Sequence, residues 1–206
     1  MTEALNAFVV LFIVLDPVGV AWMFAALTAD AEPRQQRAMA IRGVILAGMI
    51  MYLFFFFGNA LLQWMGVGLP AFRIAGGVLL FLLSLEMVFA RQSGLRSTTR
   101  GEQHEAEGKQ DISVFPLAFP LLAGPGALTT VLLMVGNITT LTERAIMAGV
   151  ILAVSVVTLL ILLPAQRLSK LLGQTGANVV SRLLGLVLAA LAMQFIIDGI
   201  RLSFFT

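Results

Sequence analysis

Two short motifs in the chain place a proline directly after a residue that favours the start of a helix. They are Asp16-Pro17 and Gly124-Pro125-Gly126. Aspartate is a preferred N-cap residue, glycine is accepted there, and proline is favoured at the first helical position. Each motif therefore predicts a helix whose free N–H groups and positive dipole end lie at the motif. Such an end can bind a carboxylate or another anion.

The backbone just before each proline adds a second kind of group. Because proline has no N–H, the carbonyls of Ile13 and Leu121 are predicted to lack their usual helical partners, so they can accept from an ammonium group. Donors for a carboxylate beside acceptors for an ammonium group describe a site for a zwitterion. Hydroxyl groups one turn later, and glycines that let a ligand approach the backbone, complete the set. The predicted substrate-binding residues are Asp16, Pro17, Gly19, Gly124, Pro125, Gly126, Thr129 and Thr130.

Composition identifies the solvent of this chain as lipid. Of its 206 residues 59% are hydrophobic and 12% charged, with a mean hydropathy of +0.98. Soluble domains are about half apolar and about a quarter charged. The chain has no cysteine, which excludes disulfides, thiolate metal sites and haem attachment. Its net charge of only +2, spread over loops, does not indicate a nucleic-acid partner.

Six apolar runs are long enough to cross a bilayer, for which a helix needs about 20 residues. They lack the alternation of barrel strands, so the predicted fold is an all-α membrane protein. The first and fourth helices are predicted to break at mid-membrane, at the two proline motifs. A polar linker, residues 91–112, separates three spans in residues 1–90 from three in residues 113–206. The predicted spans are 5–27, 43–62, 70–90, 113–136, 145–163 and 180–200.

Asp16 is the one ionisable residue in its span and lies at the centre. A charge at that depth costs roughly 3 kcal/mol, so such residues usually serve a function. Either motif alone favours a kink, because membrane helices tolerate proline and glycine. The two motifs at matching depth favour a binding site. Three roles for Asp16 stay open: an N-cap, a partner for the substrate ammonium group, or a proton carrier.

Other charged residues near the spans are candidates for coupling or gating, together with Asp16. Glu86 lies inside the third span, where it can pair with Arg91 or take part in a gate. Arg73 and Arg182 open the third and sixth spans at equivalent places and can anchor helix ends or brace gates. The only histidine, His104, lies in the linker, and the spans hold no constellation typical of catalysis. We therefore expect no enzyme activity, no metal and no cofactor.

The distribution of basic residues predicts the orientation. With six spans, ten of the 13 Lys and Arg residues fall on one side and three on the other. The positive-inside rule places the ten in the cytoplasm, with the linker. Both termini are then predicted to lie outside.

The two halves resemble each other in sequence. Three matched pairs occur in the same order, at offsets of 106 to 109 residues. Because each half has three spans, the second enters the membrane from the opposite side, which predicts an inverted repeat. Interrupted spans at matching positions of two halves are typical of secondary transporters. The pairs are Pro17 with Pro125, residues 37–47 with 144–153, and residues 73–76 with 182–185.

Several strings resemble the MarC family of bacterial and archaeal inner-membrane proteins. This resemblance implies six spans and a place in the LysE-like transporter superfamily. It also implies transport of small neutral amino acids such as glycine and alanine, driven by the proton gradient. The family usually continues the first motif with Asn and Pro, whereas this chain has Val20, Ala21 and Trp22; the bulk of Trp22 can change the substrate. The strings are Asp16-Pro17-Val18-Gly19, residues 72–80 to Glu86-Met87, Pro116–Pro120 to Gly126, and residues 185–187 to Asp198-Gly199.

The sequence thus predicts a proton-coupled secondary transporter of a small zwitterion, embedded in lipid. Export of another small solute is the alternative within the transporter class. A membrane scaffold or partner-binding protein, in which the breaks only shape packing, is the alternative outside it.

Overall fold

The computed structural model describes residues 2–89, 111–136, 138 and 140–204. All regular elements in these ranges are helical, which confirms the predicted all-α class. Five helical stretches are long and apolar enough to cross a membrane, or six if one bent pair is a single span. The helices are α1 (Thr2–Leu15), α2 (Pro17–Leu27), α3 (Pro33–Trp64), α4 (Leu69–Phe89), α5 (Ser113–Leu122), α6 (Pro125–Val135), α7 (Leu141–Leu162) and α8 (Ala165–Phe204).

The first predicted span is broken at the predicted place. Asp16 separates α1 from α2 and adopts a left-handed backbone conformation, with φ 40° and ψ 65°. Aspartate is among the few residues other than glycine that adopt this conformation readily. The two helices still form one candidate span, Glu3–Leu27. The break is therefore a local distortion within a continuous crossing.

The fourth predicted span is more strongly interrupted. In α5 the backbone hydrogen bonds span five residues instead of the four of an α-helix. The N–H of Leu117 donates to the carbonyl of Ile112, and that of Ala123 donates to the carbonyl of Ala118. Phe115 and Phe119 inside it have extended backbone conformations, each before a proline, as expected from the steric effect of proline on its predecessor. α5 and α6 meet at a bend of 55°.

Two predicted spans are only the apolar parts of longer helices. α3 begins at Pro33 rather than near residue 43, because proline suits the first helical position and Gln35 accepts from the N–H of Glu32. α8 begins at Ala165 rather than near residue 180 and is interrupted at Gly173, where φ is 60°. The spans 70–90 and 145–163 differ little from α4 and α7.

Most of the predicted linker, residues 91–112, lies outside the described residues. Its described end is fastened to α3, since Nη1 of Arg42 donates to Oδ2 of Asp111 over 3.0 Å. Hydrogen bonds from Ser113, together with the Arg42 guanidinium group, lower the pKa of Asp111 below its usual value. This ion pair holds the start of α5 against α3.

Glycines allow the helices to pack closely, as small residues do in membrane proteins. A Cβ at Gly77 of α4 would lie 2.8 Å from the carbonyl oxygen of Ala192, and one at Gly185 of α8 would lie 2.8 Å from Cβ of Met87. A Cβ at Gly43 would overlap Leu117 of α5. Gly43, Gly77 and Gly185 thus mark places where neighbouring helices approach closely.

Two serines inside the spans form hydrogen bonds within their own helices. Ser84 donates to the carbonyl of Phe81, and Ser155 donates to that of Ile151. Neither of these hydrogen bonds joins two helices. A hydroxyl in a helix reaches its own preceding turn without requiring a partner helix.

Candidate functional site

Asp16 is fully buried, with 0% of its surface exposed. Its Oδ1 accepts from the N–H of Gly19 over 3.2 Å, so it is the N-cap of α2 as predicted. Its Oδ2 accepts from the hydroxyl of Ser181 over 2.7 Å. A backbone amide and a hydroxyl thus hold the two oxygens of this buried side chain.

Gly19 provides the room for this carboxylate. A Cβ at Gly19 would overlap Oδ2 of Asp16 and would lie 3.0 Å from the Ser181 hydroxyl oxygen. The missing side chain therefore lets the carboxylate fold back over the first turn of α2. Gly19 serves the carboxylate directly, which gives this predicted site residue a specific structural role.

Ser181 was not predicted as a site residue. It lies in α8, 165 positions from Asp16, and the sequence holds no local signal that relates the two. Only the packing of α2 against α8 brings them together. The hydroxyl is the functional group that sequence reasoning missed.

The second break is arranged differently from the first. Gly124 precedes α6 with an extended backbone, and a Cβ there would overlap the carbonyl oxygen of Pro120. Pro125 starts α6, as predicted. The first hydrogen bond of the helix is donated by the N–H of Leu128 to the carbonyl of Gly124. The N–H groups of the preceding turn therefore have no acceptor within the helix.

The structure brings the two breaks close together. A Cβ at Gly126 would lie 3.4 Å from Cγ1 of Val14, two residues before Asp16, and 2.9 Å from Leu83 of α4. The positive end of α6 thus lies against the end of α1 that precedes the buried carboxylate. Opposite partial charges of two helix ends therefore lie within one buried region.

The two predicted threonines use their side chains within the protein. Thr130 is fully buried, and its hydroxyl donates to the carbonyl of Gly126 over 2.8 Å. Thr129 is also buried, and its methyl group occupies the space beside Gly76 of α4. Both threonines line the start of α6 and tie it to its neighbours.

One predicted acceptor is already occupied. The carbonyl of Ile13 accepts from the N–H of Asp16 over 3.2 Å. The usual donor to this carbonyl would be residue 17, which is a proline and has no N–H, as predicted. The left-handed turn at Asp16 directs the N–H of Asp16 to it instead, so the carbonyl is not free for an ammonium group. Binding of an ammonium group at this break would therefore depend on the carboxylate.

The predicted gate residues lie in different surroundings. Arg73 and Glu86 are buried in α4, each with 8% of its surface exposed. Arg182, the predicted counterpart of Arg73, is exposed in α8. The expected partner of Glu86, Arg91, lies outside the described residues. Among the described residues there is no group of three or more His, Cys, Asp or Glu side chains that could hold a metal ion.

Substitution of Ser181 by alanine tests the carboxylate network. Ser181→Ala removes one hydrogen bond to a buried charge, which typically costs about 1.5–3 kcal/mol. We expect the thermal unfolding midpoint in detergent to fall by about 2–4 °C per kcal/mol lost. The exposed Ser203 of the same helix offers a control, since Ser203→Ala should unfold like the unsubstituted protein. Equal midpoints for both variants would show that the hydroxyl does not stabilise Asp16.

Comparison with known sequences gives a consistent result over the whole chain. A family described as "MarC family integral membrane protein" matches residues 1–204. An Escherichia coli K12 protein named "UPF0056 inner membrane protein YhgN" is 32% identical over 203 residues, covering 98% of each chain. No solved structure matches the chain.

Relatives from distant bacteria show the same likeness. A "UPF0056 membrane protein" of Aquifex aeolicus is 32% identical over 199 residues, covering 95% of this chain and 91% of its own length. The "UPF0056 membrane protein YvbG" of Bacillus subtilis is 34% identical over 197 residues, covering 95% and 93%. These names state a membrane location and no activity.

Proposed function

The chain belongs to the MarC family of integral membrane proteins, and from this premise we propose that it is a secondary transporter of small neutral amino acids. It is an integral, multi-pass membrane protein. The proposed substrate is a zwitterion of the size of glycine or alanine, moved in exchange for protons. The proposed location is the bacterial or archaeal inner membrane, the location stated in the name of the Escherichia coli relative.

One observation carries this proposal: a fully buried carboxylate lies at a helix break, and a second break lies beside it. A charge inside a membrane span is costly, and such residues usually mark a substrate or proton pathway. A kink alone requires no acidic residue, because proline and glycine suffice to bend a membrane helix. Asp16 is thus better explained by a ligand than by the shape of the helix.

The chemistry of the two breaks suits an amino acid. The Asp16 carboxylate supplies a negative partner for the ammonium group. The first-turn amides of α6, such as those of Gly126 and Ala127, supply donors for the substrate carboxylate.

Proton coupling follows from the same carboxylate. A buried Asp16 is most stable when it is neutral or paired with a positive charge. Binding of a proton and binding of an ammonium group are therefore alternative ways to satisfy it. In the proposed cycle the empty transporter returns with Asp16 protonated, and Ser181 donates to the carboxyl group in either state.

Alternating access is supported by the pattern of helix contacts. The first span contacts α7, α3 contacts the α5–α6 pair, and α4 packs along α8. If the first span corresponds to the α5–α6 pair, α3 to α7 and α4 to α8, the first two of these contacts are counterparts of each other and the third corresponds to itself. Individual residues show the same correspondence. Gly77 contacts Ile196, and Gly185 contacts Met87. Shifting the first contact by the 109-residue offset gives positions 186 and 87, within one position of the second contact. We propose that the halves are inverted repeats that rock about the buried breaks, with both termini outside.

Transport in liposomes tests the proposal. Purified protein should accumulate labelled alanine, and faster when an outward proton gradient is imposed. Liposomes without protein, and excess unlabelled glycine as competitor, are the controls. Movement of alanine only outward, or of another solute only, would favour an exporter. Equal uptake with and without protein at every gradient would favour the scaffold role and exclude the proposed activity.

A further inference from the structure

A second polar region lies where α2 meets α3 and α7 meets α8. It is separated from Asp16 by the length of α2, about 16 Å for its 11 residues. A cavity of about 650 Å³ opens there. Gln36 and Arg37 of α3 line one side of it, and Gln166, Arg167 and Lys170 of α8 line the other.

Hydrogen bonds hold the walls of this cavity. The side-chain amide of Gln36 donates to the carbonyls of Thr28 (2.6 Å) and Ala31 (3.0 Å). The amide of Gln166 donates to the carbonyl of Ala25 over 2.9 Å. Side chains of α3 and α8 thus fix the end of α2 by hydrogen bonds, and the same bonds fix the walls of the cavity.

The charged residues that line the cavity are all positive. Arg37, Arg167 and Lys170 line it, no acidic side chain does, and none of the three forms a salt bridge with another described residue. The helices α3 and α8 both begin at its edge, so their positive dipole ends add to the potential. Unneutralised cations around a concave surface attract an anion strongly.

We propose that this cavity binds a phosphate group at the membrane surface. Arginine presents paired donors that match phosphate oxygens, and lysine adds a point charge. The headgroup of an anionic phospholipid and a soluble phosphate ester share this chemistry. The exposed Leu163 and Leu171 beside the cavity offer a surface to an acyl chain, which favours the lipid. The inference is independent of what the transporter carries.

The test uses the full-length protein in detergent micelles and three probes: phosphatidylglycerol, phosphatidylcholine and inorganic phosphate. Apparent affinity is measured from the rise of the unfolding temperature with probe concentration. The variant Arg37→Gln/Arg167→Gln should bind phosphatidylglycerol at least about tenfold more weakly. The control Arg34→Gln/Arg144→Gln removes the same charge at exposed positions outside the cavity and should change affinity less than about twofold.

The probes distinguish the source of the phosphate. Stabilisation by phosphatidylglycerol that inorganic phosphate does not displace identifies a lipid headgroup. Displacement by inorganic phosphate identifies a soluble phosphate compound. The proposal is overturned if neither phosphatidylglycerol nor inorganic phosphate stabilises the protein. It is also overturned if both double variants lose affinity equally, or if phosphatidylcholine binds as well as phosphatidylglycerol.

Discussion

Asp16→Asn is expected to lower the initial rate of alanine uptake in proteoliposomes at least about tenfold while leaving the protein folded. Asparagine has nearly the same shape, accepts from the N–H of Gly19 and tolerates the left-handed conformation of this position. It cannot attract an ammonium group or bind a proton. Loss of one partner of a buried charge pair costs more than the 1.4 kcal/mol that corresponds to about tenfold.

The exposed Asp30, in the turn after α2, provides the control for Asp16. Asp30→Asn removes the same charge outside the spans and should transport at the rate of the unsubstituted protein. The unfolding temperature of both variants should be measured in parallel, so that lost transport is not mistaken for lost folding. Uptake by a folded Asp16→Asn variant at the unsubstituted rate would remove the carboxylate from the mechanism.

Gly124→Ala is expected to destabilise the protein by about 1–3 kcal/mol and to reduce transport. The added Cβ would overlap the carbonyl oxygen of Pro120, which belongs to the backbone and cannot rotate away. Overpacking of this kind typically costs that amount. The thermal unfolding midpoint should fall by about 2–4 °C per kcal/mol.

Gly149 of α7 is the matched control for Gly124. A Cβ at Gly149 has nothing within 4 Å, so Gly149→Ala should be neutral or stabilise the helix by up to about 1 kcal/mol. If both alanine variants unfolded at the same temperature, the close approach of Pro120 to Gly124 would not be a constraint on the second break.

Local chemistry made the two helix starts predictable from the sequence. N-cap and proline preferences act over a few residues, so Asp16-Pro17 and Gly124-Pro125 indicated the starts of α2 and α6 without knowledge of the packing. Apolar length likewise predicted the spans. It could not predict the polar first turns of α3 and α8, because these lie beyond the apolar runs.

Contacts between distant segments could not be predicted from the sequence. The hydroxyl of Ser181 meets Asp16 only through the packing of α8 against α2. The arginines at positions 73 and 182 match in sequence, yet one is buried and the other exposed. A repeat in sequence therefore predicts equivalent helices more reliably than equivalent side-chain surroundings.

Equilibrium binding of radiolabelled alanine to the purified protein tests most directly whether the two breaks form a zwitterion site. The expected result is saturable binding that glycine displaces and that Asp16→Asn weakens at least about tenfold. Absence of saturable binding by any small neutral amino acid, or equal affinity in the Asp16→Asn variant, would contradict it.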